Sequence, residues 1–203
     1  MTDRPLLLAT ANVGKLRELR ELLGDLTVLG LRDVGIDDLP ETADTFLGNA
    51  TQKAVEAARR TGLPCLADDS GLCVDALDGA PGVYSARYAG RHGDDAANRA
   101  LLLERLRDVA DDLRTARFRC VLALADQAGS LRERVLHAEG ECPGAITRAP
   151  RGDGGFGYDP LFVPAGETRT MAELPSAAKH ALSHRGAALR SMLPTLRGYL
   201  ASR

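Results

Sequence analysis

Three carboxylates have residue types and positions suited to metal chemistry: Glu41 and the adjacent pair Asp68 and Asp69. The pair follows the apolar run at 65–67 and precedes a Ser-Gly sequence at 70–71. Adjacent carboxylates at the end of a strand are costly unless water or a cation neutralises them, and Mg²⁺ prefers oxygen ligands. The pattern therefore predicts a magnesium site in which one carboxylate activates a water, with a tight Asp-Asp-Ser-Gly turn as the alternative.

A second candidate is the loop at 10–15, which carries Thr10, Asn12 and Lys15 between an apolar run and a leucine-rich stretch. A loop between a strand and a helix directs backbone N–H groups and the helix dipole at an anion, so this loop suits a phosphate. Lys15 adds a point charge, and Thr10 and Asn12 add hydrogen-bonding groups. Because the Walker spacing is absent, the loop is not a standard P-loop, and an ordinary capped turn is the alternative.

Two further segments have the residues to hold a nucleobase. The stretch at 154–160 surrounds Phe156 and Tyr158 with glycines, which let a flat ligand approach closely. Aromatic residues are only 4% of the chain, so Phe156 is a candidate for stacking on a base, while Tyr158 fits the core equally well. The stretch at 176–186 contains several cationic or donor side chains that would either meet one ligand edge or form a solvated face: Lys179, His184 and Arg185.

These segments lie at the junctions of a predicted α/β pattern. Strands or extended segments are predicted at 6–10, 27–31, 65–67, 118–125, 132–139 and 158–163. Helices are predicted at 15–23, 45–60, 94–106 and from 176 onward, with a break near 184 or 186. Helices interleaved with strands predict a mixed sheet with flanking helices.

Length and composition limit the class of protein. The 203 residues suit one domain spanning 1–203, and 44% hydrophobic with 27% charged residues is an ordinary globular balance. A net charge of −2 gives no basic field for polymeric nucleic acid. The apolar run at 6–9 is too short for a signal peptide or a membrane span, so we expect a cytoplasmic protein without membrane contact. The cysteines lack zinc-ligand spacing and are expected to be reduced core thiols: Cys65, Cys73, Cys120 and Cys142.

Together with other motifs along the chain, these segments resemble the family of noncanonical purine nucleoside-triphosphate pyrophosphatases, also called inosine triphosphatases or XTP/dITP diphosphatases. The resemblance covers nearly the whole chain, and more than five ordered motifs do not arise together by chance. In chain order they are Thr10-Ala11-Asn12 with Lys15 and Glu18, Glu41-Thr42 with Thr45-Phe46 and Asn49-Ala50, Ala67-Asp68-Asp69-Ser70-Gly71-Leu72, Gly79-Ala80-Pro81-Gly82-Val83-Tyr84-Ser85-Ala86-Arg87-Tyr88, Gly154-Gly155-Phe156-Gly157-Tyr158-Asp159-Pro160 and Ser183-His184-Arg185-Gly186.

The resemblance implies an elongated fold with two lobes around a central nucleotide-binding cleft, a homodimer and a requirement for Mg²⁺, for which Mn²⁺ would substitute. It places the metal on Glu41 and Asp69, with Asp68 in support through water, and the proton acceptor on Asp69. The triphosphate would contact Thr10, Ala11, Asn12, Val13, Gly14, Lys15 and Lys53. The rest of the nucleotide, with Phe156 stacked on the base, would contact Ser70, Phe156, Gly157, Tyr158, Asp159, Lys179, His184 and Arg185.

The implied activity is hydrolysis of ITP, dITP and XTP to the monophosphate and pyrophosphate, which removes these nucleotides from the pool. A carboxylate would deprotonate a water that attacks the α-phosphorus, while the metal, Lys15 and Lys53 hold the charge of the leaving pyrophosphate. No Ser/His/Asp arrangement or activated cysteine indicates a covalent intermediate. Two alternatives stay open: a Maf-like pyrophosphatase acting on modified pyrimidine or 7-methylguanine nucleotides, and a nucleotide-binding sensor without catalysis.

Overall fold

A computed structural model describes residues 4–201 and contains six strands and five α-helices in that range. The strands are β1 Leu6–Leu8, β2 Val28–Gly30, β3 Cys65–Val74, β4 Thr115–Ala125, β5 Val135–Ile146 and β6 Phe162–Pro164. The helices are α1 Val13–Leu23, α2 Phe46–Thr61, α3 Asp95–Arg105, α4 Ser176–Leu182 and α5 His184–Ala201.

The strands form one sheet in the order β2-β1-β3-β4-β5-β6. β1 pairs in parallel with both β2 and β3, with Leu7 opposite Leu29 and Cys65. β5 pairs antiparallel with β6, with Ala145 opposite Val163. Since both kinds of pairing occur, the predicted mixed sheet with flanking helices is confirmed.

Three helices begin directly after a capping residue, and α1 begins at Val13, two residues before its predicted start at 15. Asn12 Oδ1 accepts from the Lys15 N–H at 3.0 Å, and Thr45 Oγ1 accepts from the Gly48 N–H at 3.0 Å. Asp94 Oδ1 caps α3 in the same way, accepting from the Ala97 N–H at 3.0 Å. Each bond satisfies a backbone donor that a helix leaves without an internal partner. The predicted break in the C-terminal helical stretch is also confirmed, because α4 and α5 are separated at Ser183.

Several predicted strand boundaries are wrong: β4 begins at Thr115 and not at 118, β5 begins at Val135 and not at 132, and β6 covers Phe162–Pro164 and not 158–163. The largest differences are at the ends of β3 and β5. β3 does not end at residue 67 but continues through Asp68 and Asp69 to Val74, because partners elsewhere in the fold accommodate both buried carboxylates. β5 runs to Ile146, beyond the predicted end at 139. Pro and Gly at 143–144 weaken the strand signal. Gly144 is nevertheless required there, since a Cβ would collide with the carbonyl of Val163.

The chain divides into two compact units, each made from separated segments. Within the described chain, the first unit comprises 4–69, 120–140 and 188–201, and the second comprises 70–119 and 141–187. The core of the first unit is rich in leucine, from β1, α1, β4 and α5. The core of the second includes Phe118 and Phe162, whose rings meet edge to face at 4.7 Å. One domain over 1–203 stays a prediction.

The cysteines were predicted to be reduced core thiols, and no helix was expected to span a membrane. All four cysteines are free thiols, and three of them are buried, whereas Cys73 is half-buried and departs from the predicted core position. Burial raises the pKa of Cys142 to about 11. Among the helices found in 4–201, none has the length and apolar character needed to cross a membrane.

Candidate functional site

A buried acidic cluster in the first unit brings together the predicted metal ligands. Asp68 is fully buried and Asp69 is 5% exposed. Because neighbouring residues of a strand point to opposite faces, the two carboxylates have different partners. Lys15 Nζ lies 2.7 Å from Asp68 Oδ1, and the Cys120 thiol donates to Asp68 Oδ2 at 3.0 Å. Asp68 therefore fixes the position of Lys15.

Asp69 faces α2. Asn49 Nδ2 donates to Asp69 Oδ2 at 3.2 Å, and Lys53 Nζ lies 3.5 Å from Asp69 Oδ1. Burial raises the pKa of the Asp69 carboxyl, while Lys15 and Lys53 act in the opposite direction. A raised pKa makes a carboxylate a stronger base, which suits a proton acceptor.

Lys53 is the cation that connects the acids. Its side chain is buried, and its Nζ contacts Glu41 Oε1 and donates to the carbonyl of Asp68 at 2.8 Å. Glu41 and Asp69 thus lie within reach of one positive charge, although they are 28 positions apart in the sequence. The predicted acids and Lys53 are brought together.

The oxygen donors of this cluster fit a magnesium ion that shares its coordination with a nucleotide. Across 4–201, no three His, Cys, Asp or Glu side chains converge at metal-ligand spacing. Mg²⁺ is usually bound by one or two carboxylates plus waters and substrate phosphates, not by a complete cage of protein ligands. Glu41 and Asp69, already arranged around the Lys53 ammonium, meet that requirement.

The loop at 10–15 reaches the same cluster through Lys15. Thr10 is buried and its Oγ1 accepts from the Asn12 N–H at 3.2 Å. Asn12 caps α1, so the loop directs the N–H groups of the first turn outward. Ala11 and Val13 are exposed, and Val13 is unusually so for an apolar residue, at 70%. The geometry suits an anion at the start of α1.

The glycine-rich segment at 154–160, here called the aromatic loop, gathers a second set of predicted residues in the second unit. Lys179 Nζ lies 5.2 Å and Arg185 Cζ 5.8 Å from the centroid of the Phe156 ring. Arg185 is 1% exposed and donates to Ser70 Oγ at 2.8 Å. Asp159 Oδ2 accepts from the Phe156 N–H at 2.8 Å and from Lys179 Nζ at 2.6 Å. Asp159 therefore holds both the loop backbone and the lysine.

Two predicted nucleotide contacts pack against the core of the second unit. The Tyr158 hydroxyl donates to the carbonyl of Ser85 at 2.9 Å, and burial raises the pKa of this phenol. His184 stacks on Phe118 with ring centroids 4.8 Å apart and an interplanar angle of 11°. For Tyr158, the structure favours the packing role that the sequence left open. His184 is 8% exposed.

Glycine is required within this loop at Gly155. Its φ is +73°, in the left-handed region that other residues rarely adopt. A Cβ at Gly155 would also collide with the carboxylate of Asp159. The glycine allows Asp159 to come close to the loop backbone and accept from Phe156.

Helix α2 places Asn49, for which the sequence motifs predicted no role, at the centre of the acidic cluster. Asn49 is fully buried, and its Oδ1 accepts from the Ala43 N–H at 2.9 Å while its Nδ2 donates to Asp69. Gln52 Oε1 accepts from the Thr42 N–H at 3.2 Å. α2 therefore holds the segment that follows Glu41. The available signal was the four-residue spacing of Asn49 and Lys53, which places both polar residues on the buried face of a helix.

Comparisons with known proteins agree on one family. The model of the Ham1 family matches residues 6–195. The chain is 56% identical over 202 residues to a dITP/XTP pyrophosphatase from Nocardia farcinica, covering 97% of this chain and 96% of the relative. It is 52% identical over 192 residues to a dITP/XTP pyrophosphatase from Escherichia coli, covering 94% and 96%. The solved structure of a HAM1 protein from Coxiella burnetii is similar with a TM-score of 0.85, 44% identity and coverage of 96% of this chain and 99% of that chain.

Proposed function

This chain belongs to the Ham1 family, and we propose that it hydrolyses noncanonical purine nucleoside triphosphates to the nucleoside monophosphate and pyrophosphate. The substrates are ITP, dITP and XTP, and the reaction removes them from the nucleotide pool. The observation that carries this proposal is the meeting of two acids, Glu41 and Asp69, around one positive charge beside the ion pair of Lys15 and Asp68. Such an arrangement suits a magnesium-neutralised phosphate chain.

In the first unit, the acidic cluster performs the chemistry. Glu41 and Asp69 would hold Mg²⁺, or Mn²⁺ in its place, and Asp68 would support them through water. A bound metal would supply charge neutralisation for the phosphates and a more acidic water. Asp69 accepts the proton of the water that attacks the α-phosphorus, a role that its raised pKa supports. The loop at 10–15 and Lys53 bind the triphosphate and stabilise the leaving pyrophosphate.

In the second unit, the aromatic loop recognises the base. Phe156 stacks on the purine. The Lys179 and Arg185 cations lie near the Phe156 ring and orient it by electrostatic contact. Lys179, His184 and Arg185 supply donors to the base. Ser70 accepts a hydrogen bond from Arg185, and Asp159 accepts one from Lys179. We further propose a homodimer in the cytoplasm, for which family membership is the support, and a measurement of molar mass in solution tests the dimer.

The experiment that tests the activity is a nucleotide panel with pyrophosphate detection. ITP, dITP and XTP with Mg²⁺ should release pyrophosphate, and removal of the metal with a chelator should abolish the release. Preferred turnover of modified UTP or 7-methyl-GTP would favour a Maf-like enzyme. Binding of ITP without any pyrophosphate release would favour a nucleotide sensor.

Replacing Lys15 or Lys53 by alanine should weaken the handling of every triphosphate, whatever its base. A hydrogen bond to a charged group is worth about 1.5–3 kcal/mol, so we expect kcat/KM for ITP and XTP to fall together by roughly 10- to 100-fold. Steady-state kinetics with both substrates measure this. Arg17→Ala, which removes an exposed cation from the same helix as Lys15, is the matched control and should behave as the parent.

The two lysine variants should differ in stability. Lys15 is partly exposed, whereas Lys53 is buried among acids, so Lys53→Ala leaves Glu41 and Asp69 without their shared cation. We therefore expect a lower melting temperature for Lys53→Ala, which Mg²⁺ partly restores. A change confined to the ratio of ITP to ATP turnover in Lys15→Ala would contradict the phosphate assignment.

Replacing Asn49 by alanine should raise the Mg²⁺ concentration needed for activity. Asn49 orients Asp69 and holds the backbone at Ala43, and loss of such an outer-shell partner typically weakens metal binding by roughly 10- to 100-fold. Titration of activity with Mg²⁺ measures the shift. Gln52→Ala, which loses contacts to Thr42 but none to Asp69, should shift the titration less. An unchanged Mg²⁺ requirement in Asn49→Ala would remove this residue from the metal site.

A further inference from the structure

Two side chains of helix α3 form hydrogen bonds with both polar backbone groups of Gly157 in the aromatic loop. The carboxylate of Asp95 accepts from the Gly157 N–H at 2.7 Å, and the guanidinium of Arg99 donates to the Gly157 carbonyl at 2.8 Å. The two side chains are four residues apart and so lie on one face of the helix. Gly157 follows Phe156 directly, and its φ of +61° turns the chain just after the ring.

The aromatic loop has open space beside these two hydrogen bonds. A cavity of about 720 Å³ is lined by residues 91–96 and Arg99 on one side and by residues 152–156 and Pro160 on the other. Packing therefore does not confine the loop on the cavity side. Phe156 is half-buried and is not a member of the buried core cluster of the second unit, whereas Tyr158, two residues on, is. The position of the ring consequently depends on hydrogen bonds to its backbone, together with the Lys179 and Arg185 cations near the ring.

We propose that Asp95 and Arg99 are positioning residues that fix the Phe156 ring for stacking on the purine base. The proposal rests on the proposed function of the aromatic loop. Asp159 holds the Phe156 N–H from one side at 2.8 Å, and the α3 pair holds the next residue from the other. The ring thus enters the substrate complex already oriented, which lowers the entropic cost of binding. Neither residue acts on the phosphates.

The first test is the kinetics of Asp95→Ala with ITP. Loss of one charge-assisted hydrogen bond to the loop should raise KM by roughly 10-fold while kcat changes by less than about threefold, because the phosphate chemistry is untouched. Asp95→Asn keeps an acceptor for the Gly157 N–H and should recover most of the KM. Arg99→Ala should resemble Asp95→Ala.

Neighbouring residues of α3 provide the controls. Asp94→Ala removes the helix cap, which bonds the Ala97 N–H and not Gly157, so it should lower the melting temperature without raising KM. Arg105→Ala removes an exposed guanidinium from the last turn of α3 and should leave KM unchanged. If Asp94→Ala raised KM by the same factor, the effect of Asp95→Ala would come from destabilisation of α3, and the proposal would be overturned.

A double-mutant cycle tests whether Asp95 acts through the ring. If it does, Asp95→Ala should raise KM by less than about twofold in a Phe156→Ala background, since interacting residues are not additive. An undiminished 10-fold effect in that background would mean that Asp95 acts by another route. An unchanged KM in Asp95→Ala alone would also overturn the proposal.

Amide hydrogen exchange separates failure of the positioning role of Asp95 and Arg99 from failure of the proposed function. The Gly157 amide should exchange faster in Asp95→Ala than in the parent and in Asp94→Ala, and this readout needs no turnover. A parent protein that released no pyrophosphate would refute the proposed function while leaving this measurement valid. Unchanged exchange at the Gly157 amide would refute this positioning role, whether or not the enzyme is active.

Discussion

Asp69→Asn is expected to lower kcat for ITP by roughly 10²- to 10⁴-fold, the usual cost of losing a general base, with loss of metal binding adding to it. Asparagine keeps the shape of the side chain but removes its negative charge and its basicity. The parent carboxylate is buried, contacts Asn49 and Lys53, and has a raised pKa. Rapid-quench or steady-state pyrophosphate assays at saturating Mg²⁺ measure the loss.

A second acid separates proton transfer from metal binding. Glu41→Gln removes a proposed metal ligand without removing the base, so high Mg²⁺ should partly restore its activity, whereas Asp69→Asn should stay inactive. Asp75→Asn, which alters an exposed acid paired with Arg117, is the control for a change of one charge. Near-normal kcat for Asp69→Asn at saturating Mg²⁺ would remove Asp69 from the catalytic role.

Discrimination between ITP and ATP should be large, up to roughly 10⁴- to 10⁵-fold in kcat/KM, the range seen where a buried donor set meets the wrong partner. Inosine and xanthine present an acceptor oxygen at position 6, whereas adenine presents an amino donor. Arg185 is 1% exposed and uses part of its guanidinium on Ser70, and Lys179 uses part of its ammonium on Asp159. A guanidinium carries five N–H donors and an ammonium three, and such donors match an acceptor oxygen on the base. A donor facing adenine would be left unsatisfied.

The test is kcat/KM for ITP, XTP, GTP and ATP in the parent and in Arg185→Ala. The variant should lose most of its preference for ITP over ATP. Arg169→Ala, an exposed arginine of the second unit that pairs with Glu167, should retain the parent ratio. Equal parent values for ITP and ATP would contradict the specificity, and an unchanged ratio in Arg185→Ala would show that Arg185 does not read the base. GTP shares the 6-oxygen and differs from ITP in its 2-amino group, so the ratio of ITP to GTP turnover measures the effect of that group.

Local signals explain which parts of the fold could be predicted. Thr45 and Asp94 cap helices whose starts were predicted to within one residue, because a cap acts within three residues of itself. Helix α1 begins at Val13, two residues before its predicted start. The length of β3 could not be predicted in the same way. Asp68 and Asp69 are poor strand formers, and the lysines that accommodate them come from α1 and α2.

The candidate site shows the same division. Its motif residues could be found because they occur as short ordered segments along the chain. The contacts of Gly157 with Asp95 and Arg99 span 62 and 58 positions and leave no local pattern. Asn49 is intermediate, since its place on the buried face of α2 was readable but its bond to Asp69 depends on how β3 packs.

The segmented make-up of the two units has a consequence for the order in which a ribosome delivers them. The core of the first unit combines Leu6 and Leu19 with Leu189 and Leu196 of α5. All segments of the second unit have emerged by residue 187, before α5 residues 188–201 complete the first. The part of the chain that is translated earliest is thus among the last to close its core. We therefore expect its leucine side chains to stay accessible to chaperones and to other nascent chains until α5 is synthesised.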